Sequence, residues 1–145
     1  MKTRTLLRST LVKKNACVGQ VELFRDKFGD AVEVSEGLCK SMACMFNFDW
    51  AARHLLSDTA WKAYEEAKAT AWKAYEETKA TAWKACGEGK ATGWAWKDYE
   101  EATAPALKAC GEARAAAFAR LYIEEKKQYL DYPVWQAMGA GSKEE

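Results

Sequence analysis

The chain has 145 residues, with 22 Lys and Arg set against 21 Asp and Glu. It is long enough to bury a real core, and it has no overall field that would hold a phosphate backbone or an anionic bilayer against salt. Its apolar runs after Met1 are only Leu6 and Leu7, then Leu11 and Val12, interrupted by Arg8 and Ser9; these are too short for a membrane span or a secretion signal, so a cytoplasmic protein is expected.

Residues 1–57 carry 9 basic and 6 acidic groups, a surplus of +3. The first fourteen hold Lys2, Arg4, Arg8, Lys13 and Lys14 with no acid, which reads as a solvated helix face rather than an anion-binding arm. Leu6, Leu7, Thr10 and Leu11 suit one helix, and Cys17, Val21, Phe24 and Phe28 fall at helical spacing in a second that Gly29 should end. Ala31 to Val34 form a short extended piece. Ser35 is a natural N-cap for a third helix carrying Leu38, Met42 and Met45, and Asn47 or Asp49 for a fourth with Trp50, His54 and Leu55. The expectation is a small N-terminal helical domain over 1–57. His54 has no Cys, Asp or Ser at catalytic spacing, so a structural imidazole is expected.

Five cysteines at spacings of 22, 5, 42 and 24 make no disulfide ladder. With His54 the single histidine, a four-ligand zinc site would need distant thiols to converge. Free, mostly buried thiols are expected, with no metal and no cofactor.

From residue 58 the texture changes. Units begin at Trp61, Trp72, Trp83, Trp96, Leu107 and Phe118, with Tyr64, Tyr75, Cys86, Tyr99, Cys110 and Leu121 three places on, so the steps are 11, 11, 13, 11 and 11. Eleven residues complete three turns at about 98° per residue, which stacks equivalent positions along one nearly straight stripe. Thr70, Ala63, Ala67, Ala71, Tyr64, Lys68 and Trp61 then share one half of the helix, while Glu65, Ala69, Lys62 and Glu66 occupy the other. The charged half gains i,i+3 and i,i+4 pairs such as Glu65 with Lys68 and Lys62 with Glu66. The alanine strip invites a second helix, edged by Tyr and Trp. Lys68, four residues from both Tyr64 and Trp72, is placed for a cation–π contact.

The step of 13 would swing Trp96 about 200° from Trp83 if the helix continued. Gly87, Gly89 and Gly93 lie in that unit and supply the freedom a reversal needs. The fold class predicted is all-α: the small N-terminal domain, then an antiparallel hairpin of eleven-residue repeats over 58–128. Its turn falls near 87–93, and Pro105 kinks or restarts the return arm, with Thr103 as a cap. The C-terminal segment 129–145 is expected to fold back through Leu130, Val134 and Trp135 and to end in disorder at GAGSKEE.

The main reading of the Trp/Tyr ladder is that it forms the hairpin's own core. Seven Trp exceed what that core needs, so any rings left outside make a protein-binding surface, with Trp61, Tyr64, Lys68, Trp72, Tyr75, Trp83, Trp94 and Trp96 as candidates. Base stacking would require a positive groove, and 58–128 balances 12 basic with 12 acidic residues. There is no GxGxxG, Walker loop, HExxH or Gly-x-Ser-x-Gly, and no enzyme is expected. The reading is a non-enzymatic module that binds a host or phage protein; the alternative is a self-assembling helical bundle, a homo-oligomer.

The segments ACVGQVELFRDKFGDAVEVSE and FDWAARHLLS, the units AYEEAKATAWKAYEE and the phrase AAAFARLY together resemble a group of small uncharacterised proteins of bacteriophages and prophage-bearing bacteria. The likeness spans most of the chain. It implies a small N-terminal region followed by a variable number of eleven-residue units, often with an Ala-Pro-Ala phrase, kept here at Ala104, Pro105 and Ala106. It carries no activity to any residue. It implies an accessory role in a bacterial cell, such as inhibiting a CRISPR or other defence complex. The units also resemble the eleven-mers of late embryogenesis abundant proteins, which lack the regular Trp and Tyr.

Overall fold

Alanine-rich, Lys/Glu-paired units have strong local helix preference, and they set the frame. The computed structural model describes residues 2–87 and 93–131, with side chains over 2–85 and 97–125. In chain order these residues form β1 (Arg4–Leu7), α1 (Arg8–Lys13), α2 (Val18–Phe28), β2 (Ala31–Val34), α3 (Glu36–Ser41), α4 (Phe48–Leu55), α5 (Asp58–Gly87) and α6 (Gly93–Asp131). The fold is all-α apart from one two-stranded ribbon, and the two long helices pack together. Trp83 meets Tyr99 near one end of the pair. At the other, the Ser57 amide, just before α5, donates to Glu125 Oε2 at 2.9 Å. The helices therefore run antiparallel; the turn expected near 87–93 falls on residues that lie mostly outside the described ones.

Two expectations change along the hairpin. Of the two expected effects of Pro105, a restart does not occur, since α6 runs through it as one helix, and Thr103 lies inside that helix, its hydroxyl donating to the Glu100 carbonyl at 3.4 Å rather than capping. Pro105 and Glu101 are both exposed, so the carbonyl that Pro105 leaves without a donor faces water, while Thr103 and Cys110 hold the opposite side of the helix in the core. The helix also continues over 129–131, which had been assigned to the C-terminal segment. The expected fold-back and disorder beyond it lie outside the described residues.

The N-terminal elements follow the expected caps with one correction. Ser35 Oγ accepts from the Leu38 amide at 3.2 Å and Asn47 Oδ1 from the Trp50 amide at 3.0 Å. Gly29, at φ 79°, closes α2. Leu6 and Leu7, expected to be helical with Thr10 and Leu11, instead lie in β1, paired antiparallel with β2 in the register Arg4↔Val34, Thr5↔Glu33, Leu6↔Val32 and Leu7↔Ala31. Strand alternation explains it: Leu6 is buried and Leu7 exposed, and the pairing partner lies too far along the chain to be seen in a local window. Thr3 and Thr5 both donate to the Glu33 carboxylate.

The basic residues near the start of the chain are put to structural use. Arg8 forks onto Asp30 Oδ1 through Nε and Nη2 at 3.0 and 2.8 Å. Arg4 lies 4.0 Å from the Tyr122 ring centroid and donates to the Tyr122 carbonyl at 3.0 Å, while Tyr122 Oη donates to the Thr5 carbonyl at 3.2 Å. β1 is thus tied to α6, and a single hydrophobic cluster runs from Leu6, Phe24 and Val34 to Tyr64, Phe118 and Tyr122.

α3 and its following turn also lean on α6, close to Gly111. A Cβ added there would sit 3.9 Å from the Ala43 Cβ, an ordinary contact. Gly111→Ala should therefore stabilise the protein by about 0.5–1 kcal/mol, the usual penalty of glycine inside a helix. A higher denaturation midpoint with an unchanged m-value checks it.

Candidate functional site

Asp49 stands in the first turn of α4, where the helix dipole favours a carboxylate. Its Oδ1 accepts the Tyr64 hydroxyl at 2.6 Å and lies 3.7 Å from Lys68 Nζ; its Oδ2 accepts from Arg114 Nη1 at 3.3 Å. One acid thereby joins α4, α5 and α6. Tyr64 has no exposed surface. Burial, followed by the hydrogen bond to Asp49 and that residue's charge, pushes the Tyr64 phenol well above its ordinary value, against a smaller opposing pull from Arg114. The buried Arg114 Nε has no hydrogen-bond partner.

This knot accounts for two of the sequence-derived candidates. Tyr64 is core, not surface. Lys68 turns to carboxylates, Asp49 and also Glu65 at 3.5 Å, in place of the expected cation–π contact; an anion already anchored by Tyr64 and Arg114 attracts an ammonium more strongly than a ring quadrupole does. The expected i,i+3 pairing of Glu65 with Lys68 is present, and Glu76 with Lys79 repeats it one unit later at 3.4 Å. Asp49 was weighed only as a cap, and Arg114 was not singled out.

The remaining candidates separate along α5. Trp61 is half-buried beneath Arg53, whose guanidinium carbon lies 4.7 Å from the ring centroid. Trp72 and Trp83 remain 48% and 58% exposed, and on α6 Leu107 is 49% exposed. Tyr75 packs on Trp72 with centroids 5.2 Å apart, and Lys79 Nζ lies 5.1 Å from the Tyr75 ring. Trp83 meets Tyr99 edge to face at 5.7 Å. The side chains of Trp94 and Trp96 lie outside the described residues.

Helical geometry gives the hairpin two unlike faces. One is a shallow groove lined by Ala74, Glu77, Thr78, Thr81, Ala82 and Ala85 of α5 and Ala102 of α6, small side chains apart from Glu77. Trp83 is two positions from both Thr81 and Ala85, about 200° round the helix, and Trp72 is in phase with it at eleven residues. Leu107 is about 140° round α6 from Ala102. Trp72, Trp83 and Leu107 therefore share the face opposite the groove. Leu107 stood in the repeat phase, and its place on this face depends on the pairing of the arms.

A second concave feature lies among the N-terminal elements. A pocket of about 280 Å³ is lined by residues such as Phe24, Phe28, Leu38, Met42 and Phe46, together with Phe118 of α6. Voids left in a packed core cost about 24 cal/mol per Å³, so a hollow of this size is not neutral. Cys39 also borders it, and burial pushes that thiol up to about 12. His54 is exposed, stacked on Trp50 at 4.6 Å, with Nδ1 3.0 Å from the Trp50 carbonyl. Among the described residues, Cys17, Cys39, Cys44 and Cys110 are free thiols, two exposed and two buried. No group of three His, Cys, Asp or Glu gathers among them to hold a metal, and no described helix is long and apolar enough to cross a membrane.

Fold and site together define an all-α protein in which a two-helix hairpin, gripped at one end by small helices and a β-ribbon, presents an aromatic face. Comparison with models of known protein families, with curated proteins and with solved structures finds no match.

Tyr64→Phe should cost about 1–2 kcal/mol at neutral pH, through the lost hydrogen bond and the unsatisfied Asp49 and Arg114. A raised folded-state phenol pKa confers stability that is fully present below the unfolded value near 10 and is lost as pH rises beyond it. The gap between wild type and Tyr64→Phe should therefore narrow by up to about 1.4 kcal/mol per pH unit above pH 10, as followed by urea denaturation across that range.

Proposed function

We propose that this protein is a non-enzymatic protein-binding module that engages its partner through the Trp72, Trp83 and Leu107 face. One observation carries the reading: these large apolar side chains stay about half exposed on a single side of the hairpin, although the same chain buries Tyr64, Phe118 and Tyr122 almost completely. Trp72 and Trp83 are separated by about 16.5 Å along one helix, a spacing suited to two neighbouring pockets on a partner. Tryptophan dominates interface hot spots because it buries much area for little rotamer entropy. The arms prepay the ordering cost by holding both rings on one rigid helix.

The finer proposal is that the partner is a bacterial host protein complex and that binding inhibits it, as an anti-CRISPR or other anti-defence factor would. It rests on the resemblance to phage and prophage proteins, with the cytoplasm of the host cell as the location that goes with it. Self-assembly is the second reading, favoured by the groove of Ala74, Thr78, Ala82 and Ala102, since small side chains allow a helix from another copy to approach closely. A strict monomer by light scattering at high concentration would remove it.

Pull-down from bacterial lysate with the intact chain and with the Trp72→Ala, Trp83→Ala double variant tests the main reading. A specific host complex should be retained by the intact chain, with affinity at least about 30-fold weaker for the double variant. Helicity should change little and the thermal midpoint fall only modestly, because about half of each ring is solvated and what is lost is the packing of Trp72 on Tyr75 and Trp83 on Tyr99. Retention that survives the double substitution, or no retained protein, overturns the assignment.

A further inference from the structure

The pocket among the N-terminal elements is independent of the aromatic face and differs from it in chemistry. None of its lining side chains is Asp, Glu, Lys, Arg or His, in a chain of which 30% is Asp, Glu, Lys or Arg. Its volume of about 280 Å³ is nearly twice that of an engineered apolar cavity of about 150 Å³ that binds benzene. Asn15, Cys17 and Asn47 line the pocket and are also exposed, which places its mouth between the α1–α2 turn and the start of α4.

Two polar side chains near that mouth, Gln20 and Asn47, help to hold its shape. Gln20 Oε1 accepts from the Asn47 amide at 3.0 Å and its Nε2 donates to the Met45 carbonyl at 3.3 Å, strapping α2 to the chain that leads into α4. Asn47 Oδ1 is spent on the Trp50 amide. Deeper in, Phe28 lies between Phe24, edge to face at 5.2 Å, and Phe46, stacked at 5.9 Å. Met42 beside them is the side chain best able to adapt to a guest.

We infer that this pocket is a binding site for a small, uncharged, largely hydrocarbon molecule, aromatic or branched, with on the order of ten non-hydrogen atoms. A carboxylate or ammonium ligand is disfavoured because the walls hold no Asp, Glu, Lys, Arg or His to pair with it. The guest touches Phe118 of α6 as well as α2, α3 and α4, so its binding strengthens the grip of the N-terminal elements on the hairpin.

Indole serves as the neutral probe and indole-3-acetate as its charged counterpart. Saturating indole should raise the thermal midpoint by about 3 °C, indole-3-acetate at neutral pH should leave it unchanged, and the Trp72→Ala, Trp83→Ala variant should respond as wild type does. Ala51→Leu, which grows a side chain into the pocket from α4, should weaken indole binding at least tenfold by calorimetry. Nuclear Overhauser contacts from indole protons to the Met42 methyl of the unaltered protein locate the probe whether or not that variant folds. Absence of indole binding, equal binding of the carboxylate, undiminished binding to folded Ala51→Leu, or Overhauser contacts to the hairpin alone would each overturn the assignment.

Discussion

Burial on every side of one short piece of α6 is the constraint from which the architecture follows. Ala115, Ala116, Ala117, Phe118 and Ala119 are all buried, although successive helical residues point in different directions. That is possible only where a helix is covered both by its hairpin partner and by other elements. α5 supplies one cover, and β1, α3 and α4 supply the other. Four methyl side chains let these backbones come close, and Phe118 fills the remaining space, meeting Phe48 and Tyr122 with centroids 5.8 and 5.5 Å away. A larger residue at Ala115 or Ala117 would force two layers apart at once.

Polar links fix the orientation of these layers where the apolar contacts leave it free. Asp49 reaches α5 and α6 together, Arg4 donates to the Tyr122 carbonyl while the Tyr122 hydroxyl donates to Thr5, joining β1 and α6, and Arg120 on α6 reaches Glu36 on α3 at 3.7 Å. Hydrogen bonds are directional where dispersion is not, so they select one arrangement among several of similar packing energy. They concentrate at the end of the hairpin where the chain enters α5.

The repeat was legible because its information is local. A period of eleven, the slip of 13 between Trp83 and Trp96 and the glycines around it define two helices and a reversal without reference to anything distant, and Ser35, Asn47 and Gly29 punctuate their neighbours in the same way. Residues 4–7 were not legible: a four-residue strand depends on a partner 24 to 30 positions later in the chain, and Leu6–Leu7 suit either periodicity. The site divided along the same line. That Trp would line one stripe could be read from spacing, but which rings the second arm covers depends on how the arms are rotated, which put Tyr64 inside and left Trp72 and Trp83 outside. The pairing of Lys68 with Glu65 is local and legible, but its second carboxylate, Asp49, comes from another helix and draws the ammonium from the expected ring contact.

Among the described residues, the N-terminal elements hold the hairpin at one end. Their cross-links reach α5 no further than Lys68 and α6 no nearer the turn than Gly111, and beyond that the described units of the two arms pack on each other, as Trp83 does on Tyr99. Adding or removing one matched unit from each arm would shift the tip by about 16.5 Å and leave the base in register. The length of the lever is thus separable from the stability of its mount, and such a chain can grow or shrink by whole units without being refolded.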